Sequence, residues 1–281
     1  MDGIIIINKP IGLTSRQVVS KVQKELNEKK AGHTGTLDPM ATGVLPILLG
    51  KGTKLSQYLI EHDKKYIATI CLGEKKDTGD QEGKTIEKKD VPKIDNKKVT
   101  EILSTFKGKQ KQIPPMYSAI KINGKKLYEY ARKGEIIERT PRDITIYEIN
   151  LLNIKGNFIK FEVSCSKGTY IRVLCENIAE KLGTVGYMSA LERTQVNNFK
   201  IENSINLEEI NENIDKIISI ENYFSNEPKL ELNEKKIELF LNGVKLTYNF
   251  KDGIYRIYNI KNEFIGTGKI QNNLLKRELI L

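Results

Sequence analysis

Short apolar runs and helix-spaced apolar stripes follow one another along this chain, and neither pattern persists for long. Ile4 to Ile7 is a compact apolar run that predicts a buried strand. Val18, Val19, Val22 and Leu26 then recur at helical spacing, with Thr14 or Ser15 placed to cap, so a helix is predicted. Lys54 to His62 predicts a further helix, and Tyr66 to Leu72, rich in branched and aromatic residues, a strand. Glu74 to Asp95 is polar and charged and reads as a connection or an exposed edge. Val99 to Phe106 predicts a helix. Ile113-Pro114-Pro115-Met116-Tyr117 breaks the pattern, because two prolines oppose both a helix and a central strand. Leu127 to Arg132 predicts a short helix, and Asp143 to Ile154 and Phe158 to Ser164 predict strands. After Tyr170, the residues Ile171, Leu174, Cys175, Ile178 and Leu182 share one helical face, which Gly183 is placed to end.

Ile201 to about Asn226 reads as helix and linker. From Lys229 to Leu281 the character changes: Tyr, Ile, Phe and Leu alternate with polar residues, and glycine recurs at 243, 253, 266 and 268. Short strands and turns are predicted there, giving a small β-barrel. Strands and helices mix without sustained βαβ alternation, which predicts the α+β class. A length of 281 residues suits one large domain and one small one.

The formal net charge is +10, which points to an acidic polymer such as RNA or to an anionic surface. The charge is uneven. Between Lys109 and Arg142 nine Lys or Arg stand against three Glu, a local balance of +6. Tyr117, Tyr128 and Tyr130 are interleaved with them, so the stretch is a candidate nucleic-acid footprint, with a solvated surface hairpin as the alternative. Cys71, Cys165 and Cys175 form no Cys-x-x-Cys pair and read as free thiols in a reducing compartment. Two histidines, His33 and His62, are too few for an evident zinc site, so no metal is expected. No apolar run approaches the length of a membrane-spanning helix, and Ile4 to Ile7 lacks the basic start and small-residue cleavage site of a signal peptide. A cytoplasmic location is expected.

The most distinctive segment is Ala31-Gly32-His33-Thr34-Gly35-Thr36-Leu37-Asp38-Pro39-Met40-Ala41-Thr42-Gly43-Val44-Leu45. It places one carboxylate, Asp38, among Gly, Thr and Pro. The glycines permit close backbone approaches, and Pro39 biases Asp38 toward an extended conformation. An isolated Asp-Pro reads as an ordinary turn; a loop of this length and composition reads as a device for presenting one acid.

This segment resembles the aspartate motif of the TruB-type tRNA pseudouridine synthases. The resemblance runs from Ile6-Asn8-Lys9-Pro10-Gly12-Thr14-Ser15 to about Phe199 and takes in Ser166-Lys167-Gly168-Thr169-Tyr170-Ile171-Arg172. It implies an α+β catalytic domain of the pseudouridine synthase type over residues 1–226, built on a mixed, mainly antiparallel sheet with a basic RNA-gripping insert at about 109–142. It also implies a small PUA-like RNA-binding β-barrel over 227–281, for which Leu241-Asn242-Gly243-Val244 is the best cue. The implied activity is isomerisation of the T-loop uridine at position 55 of tRNA, with no cofactor. The implied partner is the T arm of tRNA, with no guide RNA, no membrane and a monomeric enzyme.

The resemblance also assigns roles. Asp38 becomes the catalytic carboxylate, which attacks or deprotonates the ribose. Tyr66, in Asp63-Lys64-Lys65-Tyr66, becomes the aromatic that stacks on the target base and takes part in proton transfer; on the residues alone it reads as one more strand aromatic. Arg172 becomes the partner of Asp38, able to hold a carboxylate with a planar fork. Tyr170 and Leu191 line the base pocket, and His33 fills the space that the extruded uridine vacates. Lys9 and Pro10 support the pocket. Lys125, Lys126, Arg132 and Lys133 are candidate backbone contacts within the insert. The chain departs from the pattern at Leu191-Glu192-Arg193-Thr194-Gln195, where many relatives carry consecutive arginines. Three other readings compete: the catalytic subunit of a guide-RNA-dependent pseudouridylase, an RNA-binding or tRNA-folding protein whose catalysis is incidental, and a glycosidase. The last lacks a recognisable second carboxylate at the Asp38 loop.

Overall fold

The computed structural model describes residues 1–59 and 62–281. Strand β1 (Gly3–Lys9) carries four consecutive isoleucines because both of its faces are covered. Ile5 and Ile7 pack with Val18, Val19, Val22 and Leu26, while Ile4 and Ile6 pack into a cluster on the other face. Helix α1 (Ser15–Glu25) starts at Thr14, whose hydroxyl accepts from the Gln17 N–H while the Gln17 side chain accepts from the Thr14 N–H. Strands β2 (Ala31–His33) and β3 (Thr42–Leu49) pair antiparallel, so the Asp38 loop is carried between two strands of one sheet. The predicted helix over Lys54 to His62 is instead a 3₁₀ stretch (Gly50–Leu55) running into a short α2 (Ser56–Leu59); residues 60 and 61 lie outside the described residues. Strand β4 (Lys64–Leu72) follows.

The polar stretch after β4 holds a hairpin, β5 (Glu74–Lys76) and β6 (Thr85–Lys88). After it come α3 (Asn96–Ser104) and β7 (Gly108–Gln112). The basic insert contains β8 (Lys121–Ile122), β9 (Lys125–Lys126) and α4 (Leu127–Ala131). Next come the long hairpin β10 (Arg142–Lys155) and β11 (Phe158–Cys165), then α5 (Ile171–Lys181), β12 (Gly186–Val196) and β13 (Phe199–Lys200). The apolar face of α5 is buried, and Gly183 follows the helix at φ +91°. The 201–226 segment holds short 3₁₀ turns, with β14 (Ile218–Ser219) and α6 (Ile220–Tyr223).

Among the described residues, ten strands form one sheet in the order β14-β1-β3-β12-β4-β11-β10-β7, with β2 added to β3 and β13 to β12. Every ladder in it is antiparallel except β3 with β12, so the sheet is mixed and mainly antiparallel. The largest core cluster packs α3 and α5 against β4, β10, β11 and β12. At the parallel junction Arg193 stands opposite Gly43, where a Cβ would lie 2.3 Å from the Arg193 carbonyl oxygen. Only glycine fits there.

Strand β12, at the centre of the sheet, is not legible in the pattern. Register shifts fall between Met188 and Ala190 and between Arg193 and Gln195. They break the two-residue alternation, and a buried arginine disguises what remains of it.

The C-terminal segment is a curled five-stranded sheet, in the order β15 (Lys229–Glu231), β17 (Gly253–Tyr258), β18 (Phe264–Gln271), β19 (Leu274–Ile280), β16 (Leu246–Thr247). A helix, α7 (Glu234–Leu241), which the alternation does not predict, covers it and buries Phe240. Leu279 packs with Ile4, Leu48 and Leu55, and the Lys54 ammonium reaches the Ile280 carbonyl, which seats this small sheet on the large one.

Candidate active site

Three sets of hydrogen bonds fix the loop around Asp38. Ser15 Oγ accepts from the Leu37 N–H at 2.9 Å and donates to the Leu37 carbonyl at 3.1 Å. The Asp38 carbonyl accepts from the Ala41 N–H at 3.0 Å. The Pro39 carbonyl accepts from the Gly12 N–H at 2.9 Å and from Lys9 Nζ at 3.1 Å. The segment between β1 and α1 is therefore the clamp of the acid loop. Lys9 is fully buried and also donates to the Pro10 carbonyl at 2.9 Å. Burial lowers its ammonium to about 8, with Asp38 pulling the other way.

Arg172, the second residue of α5, turns its guanidinium onto Asp38. Nε lies 3.2 Å from Oδ2 and Nη2 lies 3.5 Å from Oδ1, so the fork meets both carboxylate oxygens. A cation at a helix start is disfavoured by the helix dipole; here it is held by other groups. Nη2 donates to the Tyr117 carbonyl at 2.8 Å and Nη1 to the Thr78 carbonyl at 3.0 Å.

A second carboxylate, which no sequence motif marks, shares this guanidinium. Asp80 is 3% exposed, with Oδ2 3.6 Å from Arg172 Nη1. Its Oδ1 accepts from the Thr78 hydroxyl at 2.7 Å and from the Glu82 N–H at 3.1 Å. Asp80 sits in a charged stretch that reads as exposed; the parallel bridge between Asp80 and Met188 brings it inside. Burial raises the Asp38 carboxyl above the usual aspartate range, Arg172 opposes the rise, Asp80 adds to it, and Lys9 opposes it.

Tyr66 is buried in the same cluster as Leu37, Met40 and Leu191. Burial pushes its phenol up to about 12, and the charge of the nearby Arg193 guanidinium opposes that rise. Arg193, 1% exposed, faces Tyr66 across the β12–β4 ladder. Its Nε donates to the Val44 carbonyl at 2.7 Å and Nη2 to the Gly35 carbonyl at 2.8 Å. One side chain thus ties together the two ends of the acid loop, on a strand position opposite Tyr66. Its signal in the sequence is the Leu-x-Arg spacing that places Leu191 and Arg193 on one strand face. Glu192, between them, is half-buried and pairs with Thr42.

His33 ends β2 and is half-buried, with Nδ1 shielded from solvent and unpaired; burial, then Arg193 and Arg16, lowers its pKa. Tyr170 is half-buried at the start of α5, two residues before Arg172. Thus Asp38, Arg172 and Lys9 form one charged cluster, Tyr66 and Leu191 share the apolar bed beneath the loop, and Pro10 supplies a carbonyl to Lys9. The insert residues are separate: Lys125, Arg132 and Lys133 are exposed and Lys126 half-buried. Lys126 and Arg132 lie 5.5 and 5.3 Å from the Tyr128 ring centre. Among the described residues, no group of three or more His, Cys, Asp or Glu is arranged to hold a metal ion, and no helix is long and apolar enough to cross a membrane. The three cysteines are free.

A solved structure titled "Crystal Structure of a Cbf5-Nop10-Gar1 Complex" matches with a TM-score of 0.71 at 28% identity, over 99% of this chain and 84% of that one. The TruB family pseudouridylate synthase N-terminal domain matches residues 23–171, which hold both Asp38 and the start of α5. Fold and family match define a pseudouridylate synthase.

The tRNA pseudouridylate synthase B C-terminal domain then matches residues 172–222, and the Pseudouridine synthase II TruB C-terminal domain residues 228–277. The chain is 44% identical to a protein named tRNA pseudouridine synthase B from Caldanaerobacter subterraneus subsp. tengcongensis, over 98% of each chain. It is 47% identical to one of the same name from Clostridium acetobutylicum, again over 98% of each. The chain belongs to the TruB family.

Proposed function

We propose that this chain converts uridine to pseudouridine at position 55 in the T loop of tRNA, with Asp38 as the catalytic carboxylate. The observation that carries the reading is the two-point grip of Arg172 on an aspartate whose loop is clamped on both sides. The reaction breaks the N1–C1′ glycosidic bond, turns the held uracil and joins C5 to C1′. The proton leaves C5 and N1 gains one, so atoms balance without oxidant, water or nucleotide. An ionised Asp38 serves either route into that sequence, by bonding to C1′ or by taking the C2′ proton. Arg172 aims the carboxylate and favours its ionised form.

Removing a uridine from the T loop requires a receiving pocket. Tyr66, Tyr170 and Leu191 form its walls in this reading, and His33 replaces the lost stacking partner. Lys9 and Pro10 keep the loop in place. The basic insert grips the T arm through Lys125, Lys126, Arg132 and Lys133. Residues 1–226 form the catalytic domain and 227–281 a small PUA-like RNA-binding domain. The enzyme acts as a cytoplasmic monomer without guide RNA. Purified protein incubated with bare tRNA transcript tests this directly. Pseudouridine is expected at the T-loop position with no second RNA present; product only after a guide is added would redirect the assignment.

A further inference from the structure

Tyr170 is held by a side chain that lies outside every motif named above. It precedes α5 and makes no side-chain cap of its own. Its N–H donates to Oε1 of Gln112 at 2.8 Å, and its carbonyl accepts from Nε2 of the same amide at 3.1 Å. The amide thus imitates one rung of a β-ladder against the Tyr170 backbone. Gln112 is 6% exposed, and its own backbone, at the end of β7, pairs with Arg142. Buried amides keep such pairings because leaving them unmade is costly.

The chain that follows makes a second contact with the site. Five residues on, the Tyr117 carbonyl accepts from Nη2 of Arg172. Two prolines, Pro114 and Pro115, stiffen the backbone between the two contacts. The root of the basic insert therefore touches both Tyr170 and Arg172, which are two residues apart.

We infer that Gln112 is a positioning residue for uridine isomerisation: its amide aims Tyr170 at the extruded base and joins the seating of the insert to the alignment of that base. The inference rests on the base-pocket reading above, in which Tyr170 is a wall. Gln112 touches no reacting atom; it acts through the tyrosine backbone.

The test is a double-mutant cycle read by single-turnover kinetics at saturating tRNA. Gln112→Leu keeps the bulk and removes both hydrogen bonds. It should slow the chemical step by on the order of ten- to a hundredfold, the penalty for a slightly misaimed reactant. Affinity for tRNA should change less than about threefold, since phosphate contacts set it. In a Tyr170→Ala background the same substitution should cost little more. Gln112→Glu keeps the acceptor for the Tyr170 N–H and loses the donor, so an intermediate loss is expected; it also carries the cycle if Gln112→Leu fails to fold. An unchanged rate, a loss confined to affinity, or losses that multiply with Tyr170→Ala would overturn the inference, the last because Gln112 would then act elsewhere. If Tyr170→Ala alone left the rate unchanged, the base-pocket reading would fall first and this inference with it.

Discussion

Burial and Arg172 pull the Asp38 carboxyl in opposite directions, and that conflict has measurable signs. Burial raises its carboxyl above the usual range, and Arg172 is the chief opposing group. The proposed mechanism needs the carboxylate, so it predicts a single-turnover rate that climbs with pH through the raised value and levels off above it. Arg172→Lys keeps the charge and loses the two-point grip. It should lower the plateau by about tenfold or more and move the acid limb to higher pH; superimposable profiles would dismiss the pairing. Stability should run the other way. A carboxyl raised in the folded state contributes stability below its ordinary range, and that contribution is lost as pH rises through the raised value. Asp38→Asn should therefore gain in relative thermal midpoint between acid and neutral pH. At this scale the sequence shows the acid and its arginine, because both sit in distinctive motifs. Asp80 and Gln112 stay hidden because their surroundings are made by tertiary contacts, a polar turn folded inward and an amide at a strand end, while Arg193 shows only as the Leu-x-Arg spacing.

The elements that follow simple periodicity are legible in the sequence, and strand β12, which carries Leu191 and Arg193, is the least so. Helices α1 and α5 show clean apolar stripes and bury them. Strand β12 breaks its alternation twice, and the bends accompany the turn of Arg193 beneath the acid loop. The basic insert is legible as charge and in its short helix α4, but not in its hairpin. Its hairpin turns at Asn123 and Gly124, both at positive φ, as two-residue hairpin turns require. Leu127 is fully buried beneath it, so the insert presents cations from an anchored base. Replacing Lys125, Lys126, Arg132 and Lys133 with Ala should weaken tRNA binding and flatten its salt dependence, by about 0.7 to 0.9 in log–log slope for each phosphate left without its cation. The chemical step at saturating tRNA should suffer less. Filter binding across a salt series reads the affinity and the slope, and an unaltered slope would make the insert a structural hairpin.

At the scale of the whole molecule, the acid loop leads directly into the parallel ladder of the mixed sheet. There β3, leaving the acid loop, runs beside β12, which carries Leu191 and Arg193. The α+β class is legible from mixed periodicities, but the order of strands is not, because β12 joins β3 and β4 across more than a hundred residues of chain. The small C-terminal sheet is legible as alternation, while the eight-residue α7 is not. The central claim is that this assembly makes one carboxylate the agent of uridine isomerisation. Because C5 of uridine loses its hydrogen, tritium release from C5-labelled tRNA reports the reaction directly. The parent protein should release label in proportion to the T-loop uridine, whereas folded Asp38→Asn, binding tRNA with little change, should release none. Release by that variant at near the parental rate, or none by a folded, tRNA-binding parent, would contradict the account.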